Sequence, residues 1–188
     1  MLLLEHLNYS LQLPENTLAN LHRLNVKSGD QIRFIRAPPQ PPSDRRASIG
    51  AHTDFGSITI LFNRIGGLQI PSSRSKEGME WEYVRPLPGH CLVNLGDAMV
   101  KLTNGILKSS IHRVVSPPGE QESATRTSLV YLARPEDEVL LKPVQGSALI
   151  DAVEVETTET MTSKVWISKR ATRSEKTSGT EVGRWEEI

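Results

Sequence analysis

From Gln31 to Ala133 the chain repeatedly starts and stops: short runs of β-branched or apolar residues are separated by Gly, Pro, Ser and Asn. Eight such runs read as strands, near 31–37, 48–52, 57–62, 67–71, 81–85, 90–95, 110–115 and 126–133. The stretches "APPQPPSDRR", "PSSRSKEGME" and "SPPGEQESAT" read as the loops between them. Eight short strands must close on themselves or pair as two sheets to hide their edges. The expected class is therefore mainly β, a jelly roll (double-stranded β-helix) core with flanking helices.

The flanks have a different texture. "MLLLEHLNYSLQLPENTLANLHRLN" reads as two helical pieces, with Pro14 near the start of the second and Leu18, Leu21 and Leu24 on one face. After Pro143 the chain turns polar, with one helix expected around "TSKVWISKRA", a solvated charged "SKRATRSEK", and a flexible "TRSEKTSGTEVG". The organisation expected is packing helices over 1–26, a jelly-roll domain over 27–143 and a polar C-terminal tail over 144–188 that lies outside the core.

Composition narrows the partners. The 22 basic and 22 acidic residues cancel, and no run of Lys or Arg is present that would follow a phosphate backbone or an anionic membrane. Neither nucleic acid nor membrane is an expected partner. Cys91 is the single cysteine, which excludes an internal disulfide and a multi-thiolate metal site. The apolar start "MLLLEHLNYS" is short for a signal peptide, so a soluble, cytoplasmic protein is expected. The oligomeric state is left open.

"IGAHTDFGSITILF" carries the chemistry. In a strand, residues i and i+2 point the same way, so His52 and Asp54 converge on one spot. His112, in "KSSIHRVVSPPG", is the candidate third ligand. Two imidazoles and one carboxylate form a facial triad suited to Fe(II), and the positions it leaves open point to catalysis rather than a structural metal. Arg126 and Ser128, in "RTSLVYL", also stand at i and i+2. A guanidinium fork and a hydroxyl together can hold the far end of a dicarboxylate. Taken alone, Arg126 reads more safely as an ordinary surface arginine paired with a glutamate such as Glu122, and its spacing from His112 is what favours the ligand role. His90, Asp97, Asn104 and Lys108 are read as turn or surface residues, and His6 and His22 as lying on solvated helix faces.

In this order, "HTDFGSITIL", "GGLQI", "PLPGHCLVNLGDAMVKLTNGILKSSIHRV" and "RTSLVYL" closely resemble the C-terminal catalytic domain of the isopenicillin N synthase-like 2-oxoglutarate and Fe(II)-dependent dioxygenases. The resemblance spans roughly residues 30 to 135. It implies Fe(II), 2-oxoglutarate as co-substrate and O₂. It assigns iron to His52, Asp54 and His112, and the distal carboxylate of 2-oxoglutarate to Arg126 and Ser128, with no catalytic residue beyond the metal ligands. The activity implied is hydroxylation, desaturation or cyclisation of a small organic metabolite, in secondary metabolism.

The chain departs from the family pattern in two places. Many relatives carry a tyrosine where "RFIRAPP" has Ala37. The family's N-terminal region, which packs on the jelly roll, has no counterpart before the first helix, so an exposed apolar face and a pocket lacking one wall are expected. Two other functions compete. One is a 2-oxoglutarate-independent four-electron oxidase of the isopenicillin N synthase type, in which Arg126 and Ser128 would grip a substrate carboxylate. The other is an inactive truncated relic of the family.

Overall fold

The computed structural model describes residues 1–41, 43, 47–73, 80–154 and 159–177. The eight runs form β1 (Gln31–Ala37), β2 (Ile49–His52), β3 (Ile58–Asn63), β4 (Leu68–Pro71), β5 (Trp81–Tyr83), β6 (Leu92–Leu95), β7 (His112–Val114) and β8 (Arg126–Ala133). The middles of the expected loops "APPQPPSDRR" and "PSSRSKEGME" lie outside the described residues. The strands build two four-stranded sheets, in the orders β1-β8-β3-β6 and β2-β7-β4-β5. Every pairing is antiparallel. The chain crosses repeatedly between the two sheets, as a jelly roll requires.

Register fixes which side chains share a face of the first sheet, because residues directly opposite each other in a ladder project the same way. Asn94 opposes Thr59, Thr59 opposes Leu132, Leu61 opposes Val130 and Asn63 opposes Ser128. With Arg126 two residues before Ser128, this face is the polar one. The other face carries Ile32, Phe34, Leu129, Tyr131, Ile58, Ile60, Phe62, Val93 and Leu95. Part of it is covered: Leu4, Leu11, Leu13 and Leu18 of the N-terminal segment pack with Ile58, Met99 and Ile150, against Ile60 and Leu95. The remainder stays open, with Ile32, Phe62 and Val93 exposed and Phe34 82% exposed.

The first helix, α1 (Leu2–Ser10), forms as expected, but the second N-terminal piece does not. Gln12 and Asn16 have φ of 53° and 61°, and two left-handed residues so close together break a helix. Asn8 instead organises the segment, donating to the carbonyls of Leu13 and Pro14 and accepting from the Leu18 amide. A single 3-10 turn, Ala19–Leu21, remains; Leu18 is buried, while Leu24 is 83% exposed.

Two short helices lack a readable period. α2 (Asp97–Leu102) lies in what reads as turn sequence, and α3 (Ala148–Asp151) is capped by the Ser147 hydroxyl. The "SPPGEQESAT" loop contains a 3-10 turn over Gly119–Ser123. The C-terminal helix, α4 (Ser163–Thr177), forms where expected but is not peripheral. The Ser163 hydroxyl donates to the Pro135 carbonyl, and Trp166 Nε1 to the Phe55 carbonyl. "TRSEKTSGTEVG" is thus helical through Thr177, and its residues 178–183 lie outside the described residues. Among the described residues no helix is long and apolar enough to cross a membrane.

Candidate active site

His52 is the last residue of β2 and His112 the first of β7, and the two are direct partners in the β2–β7 ladder. Asp54 is not on the strand. It lies two residues beyond the end of β2, in a turn held from outside, so the convergence expected from strand alternation arises by another route. The Asp97 amide donates to the Asp54 carbonyl (2.8 Å), and Asn94 Nδ2 donates to Asp54 Oδ2 (2.8 Å). These bonds aim Oδ1 at the two histidines.

The Nε2 atoms of His52 and His112 each lie 3.9 Å from Asp54 Oδ1. His52 Nδ1 is 2.7 Å from the Gly50 carbonyl and His112 Nδ1 is 3.0 Å from the Ser110 carbonyl. A carbonyl only accepts, so Nδ1 carries the hydrogen in each ring and Nε2, 3.9 Å from Asp54 Oδ1, is the nitrogen that can serve as a metal ligand. Burial is the main influence pushing the His52 pKa below its ordinary value, while the Gly50 bond pulls the other way. Neutral imidazole is the form that binds metal.

The donor set suits an ion. One ligand atom from each of His52, Asp54 and His112 lies within 4.8 Å of the others. Two metal bonds of about 2.1 Å reach across about 4.2 Å, so donors 3.9 Å apart can touch the same ion. Two nitrogens and one hard oxygen suit Fe(II) and similar divalent ions, and the only thiol, Cys91, is exposed and free. His90 does not join the cluster: it is exposed and bonds the Pro88 carbonyl.

Arg126 is only 5% exposed, so it is not a surface arginine. It donates from Nε to the Gly66 carbonyl (3.0 Å) and from Nη1 to the Ser128 hydroxyl (3.2 Å). Among the described residues no carboxylate lies within ion-pair distance of it, and burial lowers its pKa. A buried guanidinium whose partners among the described residues are neutral acceptors is suited to an incoming anion. Arg126, Ser128 and Asn94 share the polar face described above, and Asn94 touches Asp54, so both halves of the site open into the same interior.

Some residues were not legible in the sequence. Asn94, polar in the middle of an apolar strand, gave a faint signal, since Asn is depleted in strands. Asp97, read as a turn former, accepts three side-chain hydrogen bonds. His22, read as solvated, is buried and pairs with the Ser57 hydroxyl at 2.7 Å.

The model of the 2OG-Fe(II) oxygenase superfamily matches residues 19–135, more than half of the chain. The chain belongs to that superfamily. A 2-oxoglutarate-dependent dioxygenase of Aspergillus fumigatus is 36% identical over 183 residues, covering 88% of this chain and 48% of the relative. A full-length Neurospora crassa protein, solved in complex with alpha-KG, has the same fold, with a TM-score of 0.77 at 23% identity over 90% of this chain and 51% of that one. JOX2, solved with 2OG, Fe and JA, superposes with a TM-score of 0.72 at 25% identity, over 90% of this chain and 46% of that one. The chain spans about half the length of these curated relatives and solved oxygenases. Oxygenases of this superfamily use Fe(II), 2-oxoglutarate and O₂.

Proposed function

We propose that this chain forms the catalytic domain of a non-haem Fe(II) and 2-oxoglutarate-dependent oxygenase that oxidises a small organic metabolite of secondary metabolism. The observation that carries this is the clustering of two Nε2 atoms, each 3.9 Å from one Asp54 oxygen, with both rings held through Nδ1. His52, Asp54 and His112 would hold the iron. Arg126, with Ser128, would hold the distal carboxylate of 2-oxoglutarate. When bound, iron and the co-substrate would supply oxidation of an unreactive C–H bond by O₂. The protein's own contribution is to hold three donors in place and present a desolvated cation to an anion. Hydroxylation, desaturation and cyclisation all fit this arrangement, since the outcome depends on where the substrate sits.

The test is an anaerobic titration with Co(II) or Mn(II), followed by 2-oxoglutarate. Tight metal binding that is lost in His52→Ala and in Asp54→Ala is expected, followed by metal-dependent binding of 2-oxoglutarate. Full metal affinity in both variants would place the ion elsewhere. With iron and O₂, release of succinate from 2-oxoglutarate separates the oxygenase from an oxidase that needs no co-substrate.

A further inference from the structure

Asp97, the first residue of α2, stands where the two ligand-bearing segments meet. Its Oδ2 accepts from the Thr53 hydroxyl (2.9 Å) and from Arg170 Nη2 (2.7 Å), and its Oδ1 accepts from the Ser109 hydroxyl (2.6 Å). Thr53 lies between His52 and Asp54. Ser109 precedes Ser110, whose carbonyl fixes His112 Nδ1. One carboxylate therefore ties the chain on both sides of the triad. An asparagine would not be equivalent, because it removes the charge that pairs with Arg170 and puts an NH₂ donor in place of one of the two acceptor oxygens.

Arg170 reaches this point from α4. It also donates from Nη2 to Thr53 Oγ1 (3.1 Å), which closes a ring of hydrogen bonds through Thr53 and Asp97. Its guanidinium lies 4.9 Å from the centre of the Phe55 ring and 5.4 Å from that of Trp166, while Trp166 Nε1 holds the Phe55 carbonyl at 3.0 Å. The α4 helix thus grips residues 53 and 55, one on each side of Asp54. Arg170 Nε is buried without a partner among the described residues, so the side chain is placed by Asp97 and the rings rather than by its own full satisfaction.

We propose that Asp97 and Arg170 are positioning residues for the metal triad. Through them α4 sets the spacing between the His52–Asp54 segment and the segment that carries His112. This rests on the metal assignment proposed above. If the carboxylate is removed, Thr53 and Ser109 can move independently, and the donors must then be gathered at the expense of binding. Partners that orient ligands typically alter metal affinity by 10–100-fold.

The experiment is a titration of the metal-free full chain with Co(II) alone, for wild type, Asp97→Asn, Arg170→Ala, Arg170→Lys and His52→Ala, with thermal unfolding of the same metal-free proteins. Asp97→Asn and Arg170→Ala are expected to weaken Co(II) binding by about 10-fold or more per folded molecule. Arg170→Lys should restore part of the loss, since lysine can reach Asp97 but not stack as a plane. If Asp97→Asn does not fold, Arg170→Ala decides, because it leaves two of the hydrogen bonds to Asp97 in place. Affinities within twofold of wild type in folded variants, or losses that only track the folded fraction, would overturn the positioning role. If wild type and His52→Ala bind Co(II) equally, the metal assignment fails first and this proposal falls with it. Loss in His52→Ala alone would sink the positioning role and leave the metal assignment standing.

Discussion

His52 and His112 face each other as cross-strand partners, with ring centroids 4.3 Å apart and planes tilted by 55°. The β2–β7 register shifts between Ile49 and His52, so an irregularity in the ladder delivers this pairing. A slip of one residue would send one imidazole to the opposite face and dismantle the site.

The third donor depends on a neighbour. Asn94 anchors only Asp54 Oδ2, so Asn94→Ala should leave the fold intact and weaken Co(II) binding by about 10-fold, far less than Asp54→Ala. Calorimetric titration of the two variants checks this ordering, and equal losses would show that Asn94 does more than orient the carboxylate.

Arg126→Ala should weaken 2-oxoglutarate binding by about 2–4 kcal/mol while metal affinity changes little, because it removes a charge-assisted contact to a carboxylate. Arg126→Lys should recover only part, since it loses the fork that also holds Gly66 and Ser128. Anaerobic titration of metal-loaded protein measures both, and indistinguishable affinities would remove the assigned role.

The strands were legible because alternation and turn residues are local signals, and β1 and β8 begin and end where the sequence places them. The pairing of His52 with Asp54 was legible for a related reason, although Asp54 reaches its position from a turn rather than from the strand. What could not be read depends on distant partners. Asp97 looks like a turn residue until Arg170, 73 positions away, is folded against it. His22 looks solvated until Ser57, 35 positions away, meets its ring. The second N-terminal helix failed because Gln12 and Asn16 take left-handed backbone that the leucine spacing did not reveal.

His22 predicts a loss of stability on mild acidification. Burial holds its pKa below the ordinary 6.5, against weaker upward pulls from the Leu18 carbonyl, Asp30 and Glu136. The unfolded chain therefore takes up the proton first, and stability falls as pH drops from about 6.5 toward the folded-state value. Protonation would also remove the Nε2 lone pair that accepts the Ser57 hydroxyl. Melting between pH 7.5 and 5.5 should drop more for wild type than for His22→Gln, and parallel profiles would refute the assignment.

Glu136 governs a lower window. The Arg23 side chain forks onto its carboxylate with two bonds of 2.7 Å, and the Arg23 amide adds a third at 3.1 Å. The side-chain bond from Arg23 is the main reason its pKa falls from 4.5 to about 2. A depressed carboxyl contributes stability that is complete above pH 4.5 and is lost as pH falls toward 2. Glu136→Gln should lower stability at neutral pH by about 1–3 kcal/mol and flatten the acid limb of the melting profile. An unchanged acid limb would mean that other carboxylates control it.

Gly96 packs tightly behind the site. Its φ of −108° is open to any residue, so conformational freedom is not what the position needs. Space is. A methyl group there would collide with the Gly56 carbonyl oxygen and approach the Asp54 carbonyl oxygen to 2.9 Å, and both are backbone atoms that cannot rotate away. The amides of Gly96, Asp97 and Ala98 donate to the carbonyls of Ser57 (3.0 Å), Asp54 (2.8 Å) and Gly56 (3.0 Å), stitching the start of α2 to the turn that carries Asp54. Gly96→Ala must separate these segments, which should cost about 1–3 kcal/mol in stability and also reduce Co(II) affinity, because Asp54 and Asp97 lose their common anchor. Gly50 is the control. It lies two residues before His52, has ordinary backbone, and a methyl added there meets nothing within 4 Å. Gly50→Ala keeps the backbone carbonyl that holds His52 Nδ1 and adds a methyl to open space, so both melting and Co(II) titration should stay close to wild type. If the two variants behave alike in both measurements, the contact between α2 and the Asp54 turn does not hold the site in place.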